Sequence, residues 1–525
     1  MTANLKEVAI LGVGFFLCFG SAEGQQRLYH LRGEPDLDGF GNRVAGIGDV
    51  NDDGVPDFAV GAIGVGLSRP VSAMDKVVVF SGRDGTELYQ IEIPVRKFSW
   101  PHYYRDIIGL GDIDGDGAGD MAIGVPGTEE DEERGMVMIV SGRNGSLIRT
   151  DTSESTPNRF GEHLAVFQDM DADEIMDYAV TDAGGASPVQ LISGRTGDVL
   201  LVVGGGELLA LGRFASVPDM NGDGVEDLLL EVTRSVRDPA TGLSEFAERD
   251  IAVISGAARG EHRITETNPD GELVLEKIPL ESINVGYLSC AGDVNADGTP
   301  DVVVSSFSQD HWATVFSGRD GRILRAWPSV ESPVQGASSR GVGDIDGDGH
   351  DDVAIGLRAR GNSGLMQANI TIHSGRTWRP IMVIGPSQFV LNRFPSVFEV
   401  AEDMNNDGYP ELLIGVGSTG GSANVLAPGF KGYVDVVSLR PPTGTVPSIH
   451  TIRSMNSQSP FLQRREVHWF SRPGSSYRVD VSEDLDTWIP SGLEETVTTI
   501  GTSGHISIDT PALWQKGYFR VVEVE

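Results

Sequence analysis

Cysteine is nearly missing: Cys18 and Cys290 are the only thiols among 525 residues. Cys18 falls in an apolar leader, so Cys290 alone remains after it and no intrachain disulfide can staple the chain. Cys290 sits in the strand-like run Tyr287-Leu288-Ser289-Cys290 and reads as a small buried residue, not a nucleophile. Lysine is confined to Lys6, Lys76, Lys97, Lys277, Lys431 and Lys516, so most of the 40 basic side chains are arginines, whose planar forks suit pairing with carboxylates. Against them stand 76 acidic residues, a formal charge of −36 that repels phosphate backbones and excludes nucleic acid as a partner. Long hydrophobic runs are also absent. The apolar run at residues 8–19 would span about 18 Å as a helix, too short for a bilayer. It follows Lys6 and breaks at Gly20-Ser21-Ala22, so residues 1–22 read as a signal peptide, and a secreted protein without a membrane span is expected. The ten histidines form no close pair with metal-ligand spacing, and neither a nucleophile elbow nor a phosphate loop is present, so no catalytic residue is assigned.

Glycine, by contrast, is abundant at 68 residues, and much of it belongs to a repeat. A nine-residue pattern recurs seven times: Asp, any, Asp or Asn, any, Asp, usually Gly, two variable residues, then Asp or Glu. The copies begin at Asp49, Asp112, Asp169, Asp219, Asp293, Asp344 and Asp403. Each is followed by an apolar run such as Phe58-Ala59-Val60-Gly61, then by a second strand ending in a Ser-Gly turn, as at Ser81-Gly82-Arg83 and Ser141-Gly142-Arg143. A third strand such as Glu87-Leu88-Tyr89-Gln90-Ile91 and a fourth leading into the next acidic loop make four strands per repeat, the content of a propeller blade. The last repeat stops at Ser438 without its final strand, and Arg27-Leu28-Tyr29-His30-Leu31 resembles the missing piece. An all-β, seven-bladed β-propeller closed by its N-terminal strand is therefore expected over residues 23–440.

Carboxylates at loop positions 1, 3, 5 and 9, with a backbone carbonyl at 7, offer the hard oxygens that calcium prefers, and Gly at 6 turns the chain so that they converge. The first loop supplies Asp49, Asn51, Asp53, Val55 and Asp57; the second Asp112, Asp114, Asp116, Ala118 and Asp120. The third supplies Asp169, Asp171, Asp173, Ile175 and Asp177; the fourth Asp219, Asn221, Asp223, Val225 and Asp227. The fifth supplies Asp293, Asn295, Asp297, Thr299 and Asp301; the sixth Asp344, Asp346, Asp348, His350 and Asp352; the seventh Asp403, Asn405, Asp407, Tyr409 and Glu411. Up to seven Ca2+ sites are expected. The Asp169 loop should be the weakest, because Glu174 replaces Gly at a left-handed position, at a cost on the order of 1 kcal/mol. A helical calcium hand would need an acid at position 12, where all seven copies are aliphatic, from Val60 to Ile414. One isolated loop of this composition also reads as plain Asx turns; sevenfold recurrence favours metal.

These repeats resemble FG-GAP repeats, the units of the propeller at the head of integrin alpha subunits. Phe40-Gly41 and Phe160-Gly161 keep the Phe-Gly element, and Val60-Gly61-Ala62 and Ile123-Gly124-Val125-Pro126 resemble the Gly-Ala-Pro element. The resemblance implies a calcium-binding propeller with a cell-adhesion role. It departs from integrins in that all seven loops are acidic here, whereas integrin propellers carry calcium loops in only some blades.

After a linker expected at 441–460, the strand candidates near Trp469, Tyr477, Val497 and Tyr518 suggest a small C-terminal β-sandwich over 461–525, similar to a module at the ends of secreted bacterial proteins. Loop candidates for ligand contact are 100–105, the acidic run 128–134 and an insertion at 234–249. The favoured expectation is a secreted binding protein for an extracellular protein or glycan. The alternatives are a carbohydrate-active enzyme such as a polysaccharide lyase, which an Arg/Tyr/His cluster at one mouth of the ring would favour, or a structural part of an extracellular assembly. No feature of the sequence specifies an oligomeric state.

Overall fold

A computed structural model describes residues 27–34, 37, 39–63, 75–93, 106–127, 134–153, 160–181, 189–205, 209–237, 244–258, 260–264, 273–280, 285–306, 311–328, 334–360, 366–386, 394–417 and 431–441 of the repeat region. Beyond it the described residues are 449–455, 462–470, 476–482, 489–490, 497–498, 503–511 and 518–524. The expected signal peptide and the candidate loop 100–105 lie outside them, as does all of 128–134 except Arg134.

Seven antiparallel sheets follow one another along the repeat region. The first blade is built from Phe40–Gly48, Asp57–Ala62, Asp75–Phe80 and Glu87–Ile93, in that order from one edge to the other. The acidic loop joins the first strand to the second in every blade, so all seven loops lie on one face of the ring. The second strands are buried along their whole length in Asp57–Ala62, Asp120–Val125, Asp177–Thr181, Asp301–Ser306 and Glu411–Gly417. A strand covered on both faces needs no polar alternation, which explains the continuous apolar runs in the sequence. The outer strand Glu87–Ile93 is exposed at Glu87, Gln90 and Glu92 instead.

Seven apolar clusters hold the ring, one between each pair of neighbouring blades. Phe58, Val60 and Val78 of the first blade pack with Leu413, Val434 and Val436 of the last, so the ring is closed. The seventh blade takes Arg27–Arg32 as its outer strand, paired antiparallel with Gly432–Ser438 in the register His30 to Asp435 and Arg32 to Tyr433. This is the closure expected from the split repeat.

The fourth blade departs from the simple repeat. Its central hairpin is long, Asp227–Arg237 with Ser244–Ile254, so most of the insertion read as a recognition loop is strand. The chain then leaves the blade, lays Gly260–Ile264 parallel to Val199–Gly205 on the edge of the third blade, and returns as Leu273–Pro279. That excursion covers an edge of backbone donors and acceptors that would otherwise be open, and with the long hairpin it accounts for the widest repeat spacing. No helix occurs among the described residues.

After the ring, Ile449–Met455, Leu462–Phe470 and Ser503–Pro511 form one small sheet, and Ser476–Ser482 is the centre of a second with Ile489–Pro490, Val497–Thr498 and Tyr518–Val524. The first of these strands falls within the stretch read as linker.

Candidate metal centres on one face of the propeller

Each acidic loop is a set of backbone N–H groups wound around its own carboxylates. In the first loop Asp49 accepts from the amides of Asn51 and Asp53 at 3.2 Å and of Gly54 at 2.7 Å, and Asp53 accepts from Val55 at 2.9 Å. The bond from position 6 to position 1 occurs in all seven loops, between 2.6 and 2.9 Å. It demands a left-handed residue at position 6. Glu174 adopts that conformation at φ 72°, as the sequence predicts for the third loop. Position 4 is left-handed as well in every copy, including Asp52, Ala172, Ala296 and Asn406, a requirement the pattern did not reveal because only some copies carry Gly there.

The acid at position 9 is fully buried in each loop: Asp57, Asp120, Asp177, Asp227, Asp301, Asp352 and Glu411. One oxygen accepts the amide of position 2, from Val50 at 2.9 Å in the first loop to Met404 at 2.5 Å in the last. In six blades the other oxygen accepts the amide of the glycine in the Ser-Gly turn, as from Gly82 at 2.9 Å and Gly375 at 2.9 Å. The turn thus belongs to the site, a role that sequence reading missed although its fixed register with the acidic loop was visible. Glycine is required there because a Cβ on Gly82 would lie 1.8 Å from the Pro56 carbonyl oxygen, and one on Gly142 would lie 1.6 Å from that of Gly119. The seventh blade shows the converse. Leu439 replaces the glycine, its amide donates to the Pro410 carbonyl instead, and the longer Glu411 replaces Asp and accepts from the Asn405 side chain at 2.6 Å.

The rest of the turn grips position 5. The Ser255 and Ser438 hydroxyls donate to Asp223 at 2.8 Å and Asp407 at 2.9 Å. Arg83, Arg143 and Arg195 pair with Asp53, Asp116 and Asp173 at 3.2 to 3.3 Å. Neighbouring loops also touch: Arg143 reaches Asp52 of the preceding blade at 2.8 Å, and the Asp351 carboxylate accepts the Asp293 amide at 2.8 Å.

Carboxylates crowd together as a result. Three acids offer oxygens within 4.8 Å of one another in Asp112, Asp114 and Asp120; in Asp169, Asp171 and Asp177; in Asp344, Asp346 and Asp348; and in Asp403, Asp407 and Glu411. These sets could hold a divalent cation. No such triple occurs among the described residues of the Asp49, Asp219 and Asp293 loops, where Asn stands at position 3; the Asp403 loop also has Asn there but gathers Asp403, Asp407 and the longer Glu411. Burial pushes the position-9 carboxyls up, to about 6 for Asp57, Asp177 and Asp227 and to about 7 for Asp301, Asp352 and Glu411. Neighbouring carboxylates add to the effect, as Asp53 and Asp49 do at Asp57, while the amide donors oppose it. A buried acid among other acids is a local demand for positive charge. Cys290 carries no such chemistry: burial raises its thiol to about 11.

The family described as FG-GAP-like repeat matches residues 293–355, a stretch running from the fifth acidic loop through the sixth. An FG-GAP-like repeat thus lies within the seven-bladed propeller. Integrin alpha-V of Gallus gallus is 27% identical to it over 253 residues, 44% of this chain and 23% of the integrin. Integrin alpha-X of Mus musculus is 36% identical over 93 residues, 16% and 8% of the two chains. The chain thus spans less than a quarter of the length of these curated relatives. Among solved structures, a rhamnogalacturonan lyase of Bacillus licheniformis aligns at TM-score 0.41 and 12% identity over 79% of this chain and 74% of its own. The Dos1 propeller aligns at TM-score 0.43 and 9% identity over 80% and 96%.

Proposed function

We propose that this protein is a secreted, calcium-stabilised propeller that binds an extracellular protein or glycan. The observation that supports it most is the sevenfold acidic loop, whose buried position-9 acid is harder to ionise than an ordinary carboxyl as long as no cation faces it. Calcium would be held by the carboxylates or amide oxygens at positions 1, 3, 5 and 9 and the carbonyl at 7, from Val55 to Tyr409. At Asp57, Asp177, Asp227 and Glu411 each oxygen takes one N–H and keeps a second lone pair, and at Asp120, Asp301 and Asp352 one of the two oxygens does so. The ion would supply charge neutralisation in the loops and, by linkage, stability that a chain without disulfides lacks. The similarity to integrin alpha chains is the support for an extracellular, adhesion-like role, and the apolar leader at 1–22 is the support for export. We include in this reading a C-terminal β-sandwich module beyond the propeller.

The test is retention of the purified mature protein on a panel of polysaccharides, matrix proteins and intact cells, in millimolar calcium and in chelator. Calcium-dependent retention with the ligand's mass unchanged is expected. Retention indifferent to chelator would remove the role of the loops, and shortening of a polysaccharide would replace binding with catalysis.

A further inference from the structure

A second polar constellation lies on the axis of the ring, away from the acidic loops. Five blades contribute the residue six positions before the loop's first aspartate, about 20 Å back along the strand. Arg43 of the first blade pairs with Asp106 of the second at 3.1 Å, and Asp106 also bonds His163 of the third at 3.3 Å. Arg213 of the fourth blade donates to His163 Nε2 at 2.9 Å, which leaves the Nδ1 proton facing Asp106. The Arg213 guanidinium lies 6.0 Å from the centre of the Tyr287 ring in the fifth blade. On the other side, two residues nearer the loops, Arg340 of the sixth blade pairs with Glu399 of the seventh at 2.6 Å. The two arcs sense each other: burial raises the Glu399 carboxyl, Arg340 opposes the rise, and Asp106 adds to it. At Asp106 burial acts in the same upward direction, but the His163 bond and the Arg43 charge outweigh it and hold the carboxyl below its usual range.

This ring is not what joins the blades. The seven apolar clusters already join the blades, and ion pairs inside a protein stabilise no better than apolar residues of similar volume. Nor is it sealed. Asp106 and Glu399 lie deep in the molecule, yet 25% and 28% of their side-chain surfaces remain accessible. The ring brings three guanidiniums and two carboxylates together, and the buried Glu231 carboxylate stands beside Arg213. It combines planar donor forks and carboxylate acceptors.

We propose that this axial ring binds a uronate-bearing oligosaccharide, with Arg213 and Arg340 receiving sugar carboxylates and Asp106 and Glu399 accepting from hydroxyls. A polyhydroxylated acid uses both the donors and the acceptors, whereas an acidic peptide side chain uses the donors alone. The proposal deepens the binding reading above and rests on it; the Arg/Tyr/His cluster is the feature expected of a carbohydrate-active propeller, and binding alone is assigned to it here.

The experiment is calorimetric titration of the full mature chain, in excess calcium, with trigalacturonate and with the neutral trisaccharide cellotriose. Binding of the acidic oligomer only, weakened by salt, is expected. Arg213→Gln and Arg340→Gln should each weaken it about tenfold or more, Arg340→Lys less so, and Arg322→Gln at an exposed turn not at all. Melting temperatures of the same samples separate lost binding from lost fold, and two independent arginines keep the test valid if one variant does not fold. Equal binding of both trisaccharides, no binding of either, equal binding of a glutamate-rich peptide, or indifference to both folded arginine variants would each overturn the axial site. If the panel above still shows calcium-dependent retention that Arg213→Gln leaves intact, only the axial site fails; if retention is absent as well, the binding reading fails with it.

Discussion

Two glycines one turn apart in space are under different constraints. Gly54 needs its left-handed φ of 81°, but a Cβ there would meet nothing within 4 Å. Gly82 is confined by contact, since its Cβ would fall 1.8 Å from the Pro56 oxygen, and its amide must still reach Asp57. Gly54→Ala should cost about 1 kcal/mol, the price of a left-handed alanine. Gly82→Ala should cost about 3 kcal/mol or more, because the turn must retreat from the loop and leave a buried carboxylate oxygen short of its donor. Urea unfolding of both variants in calcium measures the difference; equal costs would mean that the turn does not lock the loop. Leu439 with Glu411 shows how a blade accommodates a side chain at this position, by changing the acid as well.

The closing strand raises the same question one level up, since Arg27–Arg32 is joined to the seventh blade by the ladder and by one buried acid. Asp435 is 1% exposed and accepts from His30 Nδ1 at 2.6 Å, with Arg27 at 3.3 Å on the same oxygen. Asp435→Ala removes the partner of two cationic or polar groups that are partly exposed, so the cost should be about 1–3 kcal/mol. Deleting residues 27–32 should cost far more and expose the edge of Gly432–Ser438, giving a lower melting temperature and association on size-exclusion chromatography. A deletion variant that melts like the intact chain would show that the strand is not the closure. This strand was legible in the sequence because Arg27-Leu28-Tyr29 repeats the spacing of Glu87-Leu88-Tyr89, and both tyrosines reach the carbonyl of a Ser-Gly turn, Gly82 and Gly142. The excursion of Gly260–Ile264 was not legible, because a strand that joins another blade's edge carries no periodic signal of its destination. The axial ring was hidden for a related reason: Arg43, Asp106, His163, Arg213 and Tyr287 share a position but not a residue type, so only the closed ring shows that they meet.

At the scale of the whole molecule, the position-9 acids act together on stability. Their folded pKa values are raised above about 4, the ordinary carboxylate value, so in metal-free protein the unfolded chain ionises first as pH rises. The stability they contribute is therefore complete below pH 4 and is lost as pH climbs through about 6 at Asp57, Asp177 and Asp227 and about 7 at Asp301, Asp352 and Glu411. Acids shifted the other way, such as Asp53 and Asp223, titrate below the ordinary value and lose their contribution only in stronger acid, outside this window. In chelator the protein should consequently melt at a higher temperature at pH 5 than at pH 7.5. Calcium reverses the order, because it binds the ionised loops and its affinity rises with pH. Scanning calorimetry at the two pH values, with calcium and with chelator, yields four melting temperatures. Calcium should raise the one at pH 7.5 most, and an equal increment at both values would show that the buried acids are not the groups that meet the ion.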